Sequence, residues 1–335
     1  MFDPSLVGII PSLAAGEFAD IELERFRLRT QGACQIGDYF ICASAEQRLW
    51  TLGLLSAWGR INTHTFSSDM IAVVPTGVPA ISPSFEPGLF KGRVIPPDSR
   101  VILWPGGVFA WYCPVPVLNA MTHVLARCPD ARLLFVGASN EAFEPGAKMR
   151  DLHALADRLN HSTKRVFFEP AVPYAERGRI YADADVAISL FRQGLENELS
   201  FRTRLVDILW GGCPVVTTTG SSLTALIHAT NSGISLDCHS PETVAGALCQ
   251  ILENPVLRAR MSANGQRCAN DNFAWDKVVT PLHEFCSEPR PAPDRNMFPA
   301  RQFLSRTTRL RRQLRDTLLR CRRRLRRARS QSSLF

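Results

Sequence analysis

Residues 101–137 read V-I-L-W-P-G-G-V-F-A-W-Y-C-P-V-P-V-L-N-A-M-T-H-V-L-A-R-C-P-D-A-R-L-L-F-V-G, and they decide the fold. Residues 101–104 are a short apolar run of strand length, closed by the turn Pro105-Gly106-Gly107. Residues 115–127 then repeat apolar side chains at helical spacing: Val117, Leu118, Met121, Val124 and Leu125. A second apolar run, 133–136, ends at Gly137. The same alternation continues to residue 285. Helices are expected over 147–159, 174–182, 201–209, 242–252, 256–270 and 275–285, and strands over 166–168, 186–190 and 215–218. Ser240 before Pro241 is an expected N-cap, with proline at the first helical position. Five successive β-α repeats make a parallel sheet with helices on both faces, joined by right-handed crossovers. The fold class is therefore α/β, with a Rossmann-like domain over 90–286.

The flanks read differently. Residues 20–30 form a charged helical stretch, 38–43 (D-Y-F-I-C-A) a strand, 46–58 a helix and 72–75 a strand running into Thr76-Gly77. Residues 1–80 thus hold about two β-α units, too few for a second full sheet with its own core. Residues 287–300 are proline-rich and polar, and read as a linker. Net charge divides the chain again. The whole carries +8, but residues 301–335 hold 13 arginines against the single acid Asp316, so residues 1–300 carry −4. A fold built as a nucleic-acid cradle carries its positive charge on the fold itself, so nucleic acid is not the expected partner. No apolar run is long enough to span a bilayer, and the apolar stretch 6–16 lacks the basic region of a signal peptide. The ten cysteines contain no C-x-x-C, and read as reduced thiols of a cytoplasmic protein. His283 with Cys286, and Cys238 with His239, are isolated pairs, so no metal is expected.

Ligands of an open parallel sheet bind at the carboxyl ends of its strands. That rule selects the loops 105–113, 137–140, 169–174 and 191–201. It excludes Asp183-Ala184-Asp185 as a metal-binding D-x-D, because this pair lies at the amino end of its strand. The segment 195–214, L-E-N-E-L-S-F-R-T-R-L-V-D-I-L-W-G-G-C-P, carries most of the chemistry. Read as a helix over 200–211, it turns Phe201, Leu205, Ile208 and Leu209 to the sheet, and Ser200, Thr203, Arg204 and Asp207 to the cleft. Its amino end, with Ser200, Arg202 and Arg204, suits a diphosphate. Asp207 suits vicinal hydroxyls such as those of a ribose. The plainer alternative is that Arg204 and Asp207 pair with each other at i, i+3. Gly106-Gly107 allows a close backbone approach to a phosphate. Trp104, Phe109, Trp111 and Tyr112 either line a base or sugar pocket or pack between domains.

Three segments carry a family resemblance: 101–114 (V-I-L-W-P-G-G-V-F-A-W-Y-C-P), 172–189 (V-P-Y-A-E-R-G-R-I-Y-A-D-A-D-V-A-I-S) and 196–218 (E-N-E-L-S-F-R-T-R-L-V-D-I-L-W-G-G-C-P-V-V-T-T). Together they resemble glycosyltransferases of the group 1, family 4 type. The resemblance covers roughly 36–285. It implies the GT-B fold, in which two Rossmann-like domains face each other, and a retaining, metal-independent transfer from a nucleotide-sugar donor. Residues 90–286 would then be the donor-binding domain, and 1–80 a partial acceptor-side domain. Aligned through G-x-P-V-V, Asp207 takes the place of the family's ribose-binding acid. The sugar-contacting acid expected eight residues earlier is Leu199 here, and Glu196 is the chosen substitute. Arg202 and Arg204 would neutralise the leaving diphosphate, because 107–113 lack the basic residues the family usually places there. The implied site is thus Glu196, Arg202 and Arg204 as catalytic residues, with Gly106, Gly107, Pro173, Ser200, Thr203 and Asp207 binding the donor.

The beginning Phe2-Asp3-Pro4 resembles a point late in the family's amino-terminal domain. The expected function is sugar transfer to a lipid-linked or saccharide acceptor in cell-surface polysaccharide or glycolipid synthesis. The alternative is an inactive nucleotide-sugar-binding or partner protein. In the tail, residues 303–329 place Phe303, Leu310, Leu314, Leu318, Cys321 and Leu325 on one helical face and arginines on the rest. A basic amphipathic helix of this kind suits an anionic membrane surface, so the expected location is peripheral, at the inner face of the membrane.

Overall fold

The computed structural model describes residues 20–67, 69–80, 88–138 and 146–298. The apolar run 6–16 and the basic stretch 303–329 lie outside the described residues.

Six strands form one parallel sheet: β3 (Arg100–Pro105), β4 (Ala131–Val136), β5 (Val166–Glu169), β6 (Val186–Ser189), β7 (Val215–Thr218) and β8 (Gly233–Leu236). Their order is β5-β4-β3-β6-β7-β8. The chain steps outward from β3 to β5, then returns to the other side of β3 with β6. Ile102 pairs with Val186 at that switch, and Leu103 with Ala187. Strands buried on both faces are continuous apolar runs. Arg132 is the one charged residue of β4, next to Ala131 at the strand's amino end. The helices that follow β3 and β8 lie together against the sheet. In α3 (Val115–Arg127), Val117, Leu118, Ala120, Met121 and Val124 are buried, at the spacing read from the sequence. α9 (Pro241–Leu252) starts at Ser240, whose side chain accepts from the Thr243 N–H.

A smaller unit precedes this sheet. It consists of α1 (Asp20–Ile36), β1 (Phe40–Cys42), α2 (Ala45–Ala57) and β2 (Ile71–Val73), with β1 and β2 paired in parallel. Its own apolar cluster comprises Cys34, Phe40, Cys42, Leu55, Met70, Ile71 and Ala292. The last of these belongs to the stretch expected as a linker. Residues 288–298 instead fold back across the small unit. Arg60 Nε donates to Asp294 Oδ2 at 2.9 Å and Nη2 donates to Oδ1 at 3.0 Å, with the two side chains 1% and 0% exposed. Arg60 Nη1 donates to the Cys34 and Gly37 carbonyls, and Asn62 Nδ2 to Asp294 Oδ2. Polar and proline-rich composition hid a buried, fully hydrogen-bonded ion pair.

Other elements differ from the expected ones for local reasons. The helix expected over 174–182 is a 3-10 turn (Tyr174–Glu176) followed by the short α5 (Arg179–Ala182). The one expected over 200–211 is broken into α6 (Leu195–Leu199) and α7 (Thr203–Trp210). Ser200 is extended between them, with φ −83° and ψ 130°. Residues 219–239, left unassigned, hold α8 (Ser222–Ala229) and the edge strand β8. The long α10 (Pro255–Phe273) ends at Ala274, and the expected helix 275–285 divides into α11 (Trp275–Val278) and α12 (Thr280–Ser287), with Pro281 in the first turn of the second. This stretch crosses back to the small unit: Val78 bridges Ala274, and Tyr39 stacks on Phe285 at 4.1 Å.

The D-x-D is structural, as its edge of the sheet required. Asp183 accepts from the Leu89, Phe90 and Lys91 N–H groups, and Asp185 from the Val101 N–H and Lys91 Nζ. Breaking a buried pair on one side leaves an uncompensated charge. Asp294→Ala is therefore expected to lower unfolding free energy by about 3–5 kcal/mol in urea titrations. An Arg60→Met, Asp294→Leu double variant is expected to recover most of that loss.

Candidate functional site

The carboxyl ends of β3 and β6, on the two sides of the switch, are where the side chains of interest converge. β3 runs out through Pro105 into Gly106, which adopts φ +85° and donates its N–H to the Val136 carbonyl. A side chain here would be strained, and its Cβ would lie 3.0 Å from Arg204 Nη2. Glycine lets the guanidinium of α7 rest on the turn. Arg204 Nη2 donates to the Gly107 carbonyl at 2.7 Å, and its Cζ lies 4.0 Å from the Tyr112 ring centre. Nη1 is sealed from solvent and has no hydrogen-bond partner among the described residues. No carboxylate pairs with Arg204 among them either. Burial lowers its pKa, opposed by Tyr112 and Tyr181. The rest of the loop is pinned in place: Cys113 donates its N–H to the Leu190 carbonyl, and Tyr112 bridges Phe191. Phe109 stacks on Trp111, so the aromatic cluster forms one wall beside the guanidinium.

Arg202 is placed differently. It is buried, and its Nη1 and Nη2 donate to Glu196 Oε1 and Oε2 at 3.0 and 2.5 Å. Ser200 Oγ donates to the same Oε1 at 2.8 Å, and the Phe191 ring lies 4.2 Å from the Arg202 Cζ. Glu196, Ser200 and Arg202 are thus brought together as one neutral cluster. That cluster is why the helix breaks at Ser200: a continuous helix could not return Arg202 to Glu196. Of the two arginines, Arg204 alone lacks a carboxylate partner.

The alternative of an Arg204–Asp207 pair is not what forms. Asp207 accepts from Arg177 Nε at 3.3 Å. Burial raises the Asp207 pKa, with Arg177 opposing the rise. Arg177 lies between two aromatic faces, its Cζ 3.8 Å from the Tyr174 ring centre and 4.5 Å from that of Trp210, and its Nη2 is sealed and unpartnered. Tyr181 sits fully enclosed beside Asp207, Arg204 and Arg177, its pKa pushed well up by burial. Gly211 admits that ring: a Cβ there would lie 2.3 Å from it. Pro173 only begins the turn that carries Tyr174 and Arg177, and Thr203 is an exposed first residue of α7. Arg177, Tyr181 and Tyr174 were missed by sequence reasoning, since 30 residues separate Arg177 from its partner Asp207. Asn197 was missed too; it is buried and donates to the Thr219 carbonyl at 2.7 Å.

The small unit reaches this crevice through α2. Gln47 Nε2 donates to the Leu199 carbonyl at 3.0 Å, and Ser222 Oγ donates to Glu46 Oε2 at 3.0 Å. The arrangement offers an unspent cation at one sheet edge, a half-buried carboxylate one helical turn along, and a second carboxylate already neutralised. Among the described residues, no trio of metal-ligating side chains lies at this edge.

Comparison with known proteins bears on the sheet that carries this crevice. Residues 100–254 match the family model described as "Glycosyl transferases group 1". The D-inositol 3-phosphate glycosyltransferase of Nocardioides sp. is 26% identical over 228 residues, covering 63% of this chain and 48% of that protein. The one from Acidothermus cellulolyticus is 29% identical over 254 residues, covering 73% and 53%. The chain spans about half the length of the curated relatives it matches. Among solved structures, the sucrose-phosphate synthase of Thermosynechococcus elongatus superposes with a TM-score of 0.59 at 18% identity, over 79% of this chain and 61% of that one. Anabaena HepE in complex with UDP-glucose gives 0.57 at 17%, over 76% and 65%. The parallel α/β fold is that of GT-B glycosyltransferase structures, and residues 100–254 are similar to the group 1 glycosyl transferases.

Proposed function

We propose that this chain binds a nucleotide-sugar donor at the β3/β6 crevice and transfers its sugar, with retention and without a catalytic metal, to a lipid-linked or saccharide acceptor in cell-surface polysaccharide or glycolipid synthesis. The observation that carries this reading is Arg204: a half-buried guanidinium with no carboxylate partner among the described residues, and with a sealed and unpaired N–H beside a glycine turn. A cation kept out of water in this way is complementary to an anion that arrives later, and a diphosphate supplies one. HepE, which shares the fold, is described in complex with UDP-glucose.

In this reading Gly106 and Gly107 let the phosphates approach, and Arg204 stabilises the diphosphate as the sugar–oxygen bond breaks. The departing diphosphate takes the acceptor's proton, so no separate base is needed. Asp207, steadied by Arg177, accepts from ribose hydroxyls. Glu196 faces the sugar, its charge held by Arg202 and Ser200. Thr203 and Pro173 border the donor. Residues 90–286 serve as the donor domain and 1–80 as the part of the acceptor side present here. The 301–335 tail holds the protein peripherally at the inner, anionic face of the membrane. No described helix is long and apolar enough to cross it.

Calorimetry with UDP as probe tests the donor site. Arg204→Ala is expected to weaken binding by about 10- to 100-fold, the worth of one charge-assisted hydrogen-bonding group. Its unfolding temperature should not fall, because an unpaired buried charge is removed. Unchanged affinity would overturn the site. A chain that binds UDP-glucose yet never hydrolyses or transfers it is a binding protein, the second reading.

The Asp207 pKa gives a stability test with a definite sign. Its folded-state value lies above the unfolded one, so ionised Asp207 costs stability at neutral pH, and that cost disappears as pH falls below the unfolded value of about 3.9. Asp207→Asn is expected to raise the unfolding temperature at pH 7 while weakening UDP binding. The thermal gain should shrink toward pH 4.

Liposome sedimentation tests the tail. Full-length protein is expected to sediment with phosphatidylglycerol vesicles while residues 1–300 stay in solution. Equal behaviour of both would sink the membrane assignment.

A further inference from the structure

The opposite, amino-terminal edge of the sheet holds a second cluster that the donor site does not use. Cys128 caps the end of α3, just before β4, and Cys249 and Glu253 lie at the end of α9. One ligand atom from each falls within 4.8 Å of the others. Both thiols are fully buried, whereas Glu253 is exposed. Cys128 Sγ points at Glu253 Oε1, 3.9 Å away. The two cysteines are 121 positions apart, so spacing along the chain could not reveal them.

We propose that Cys128, Cys249 and Glu253 form a binding site for a thiophilic divalent cation of the zinc type, which fastens α3 to α9. Two sulfurs and one carboxylate oxygen are a donor set for zinc, with a water as fourth ligand on the exposed, Glu253 side. That side is also the entry path. Binding exchanges two S–H bonds for two metal–sulfur bonds, releases two protons to solvent and involves no change of oxidation state.

The surroundings fit such a site in two ways. First, two thiolates, one carboxylate and a divalent cation sum to −1. Arg127, paired with Glu253, and Arg100, paired with Asp130, stand beside it to offset that charge. Ligating carboxylates are commonly oriented by a further hydrogen bond, and Arg127 supplies it. Second, the three ligand groups already converge: the Cys128 and Cys249 thiols hydrogen-bond to each other, and Cys128 Sγ also reaches Glu253 Oε1. The site is remote from the β3/β6 crevice, and its role is to clamp two helices rather than to take part in transfer.

Cadmium alone, added to the full chain under reducing conditions after chelator treatment, is the probe, read by its thiolate charge-transfer absorption. One equivalent is expected to bind. Cys128→Ser and Cys249→Ser are expected to abolish that absorption. Glu253→Gln and Arg127→Ala, both at exposed positions, are expected to fold normally and bind about tenfold more weakly. Zinc should raise the unfolding temperature of the unaltered chain in a concentration-dependent way. Absence of cadmium absorption, its persistence in both cysteine variants, or full affinity in Glu253→Gln would each overturn the site. If the serine variants fail to fold, Glu253→Gln decides alone.

Discussion

A guanidinium partly withdrawn from water, with no carboxylate partner among the described residues, is the constraint around which the crevice is arranged. Taking such a charge out of water costs several kcal/mol even after relaxation. Arg204 bears that cost with one carbonyl, from Gly107, and with the face of Tyr112. Neither neutralises it. The protein tolerates the deficit because α7 is anchored from its other side: Leu205, Val206, Ile208 and Leu209 are all buried. The apolar stripe that anchors the helix and the cation that strains it belong to the same two turns. Stability is thus spent where an anion can restore it, which is how a preorganised electrostatic site differs from a surface patch.

The other charges near the sheet's two edges are sorted in the opposite sense. Asp183 and Asp185 are consumed by backbone N–H groups and by Lys91, so they position the link between the two units. Glu196 is consumed by Arg202 and Ser200. Asp207 has a partner in Arg177, but an incomplete one, since burial still wins and its pKa stays raised. A partner that holds a carboxylate without fully compensating it leaves that carboxylate ready for further donors. The crevice therefore presents one open cation and one partly open anion about a helical turn apart, and closes the rest.

How much of this was legible depended on whether the determining contact was local. β3, α3 and β4 were read from 101–137 because each follows a period, two apolar faces for the strand and 3.6 residues for the helix. β8 escaped because it is a four-residue edge strand with only half-buried inner positions. The break at Ser200 escaped because it serves a contact between Glu196 and Arg202, which a single helical period does not encode. Asp207 was found through the following G-x-P-V-V, while Arg177 lies 30 residues upstream and meets it only after folding. The misread linker is the same lesson at longer range. Asp294 looks like a polar loop residue until Arg60, 234 positions away, closes on it.

That last contact also governs how the units are joined. Residues 288–298 return over the small unit, and 274–285 lie against Val78 and Tyr39, so the chain crosses between the units more than once. α2 touches α6 through Gln47, directly beside the Glu196 cluster. Movement of the small unit would therefore pull on the loop that holds Glu196 and Arg202, while leaving Arg204 seated on the β3 turn. The two arginines of one short sequence motif are in this way divided between functions. Arg204 is fixed to the β3 turn through the Gly107 carbonyl, and Arg202 is tied to the loop on which the second unit rests.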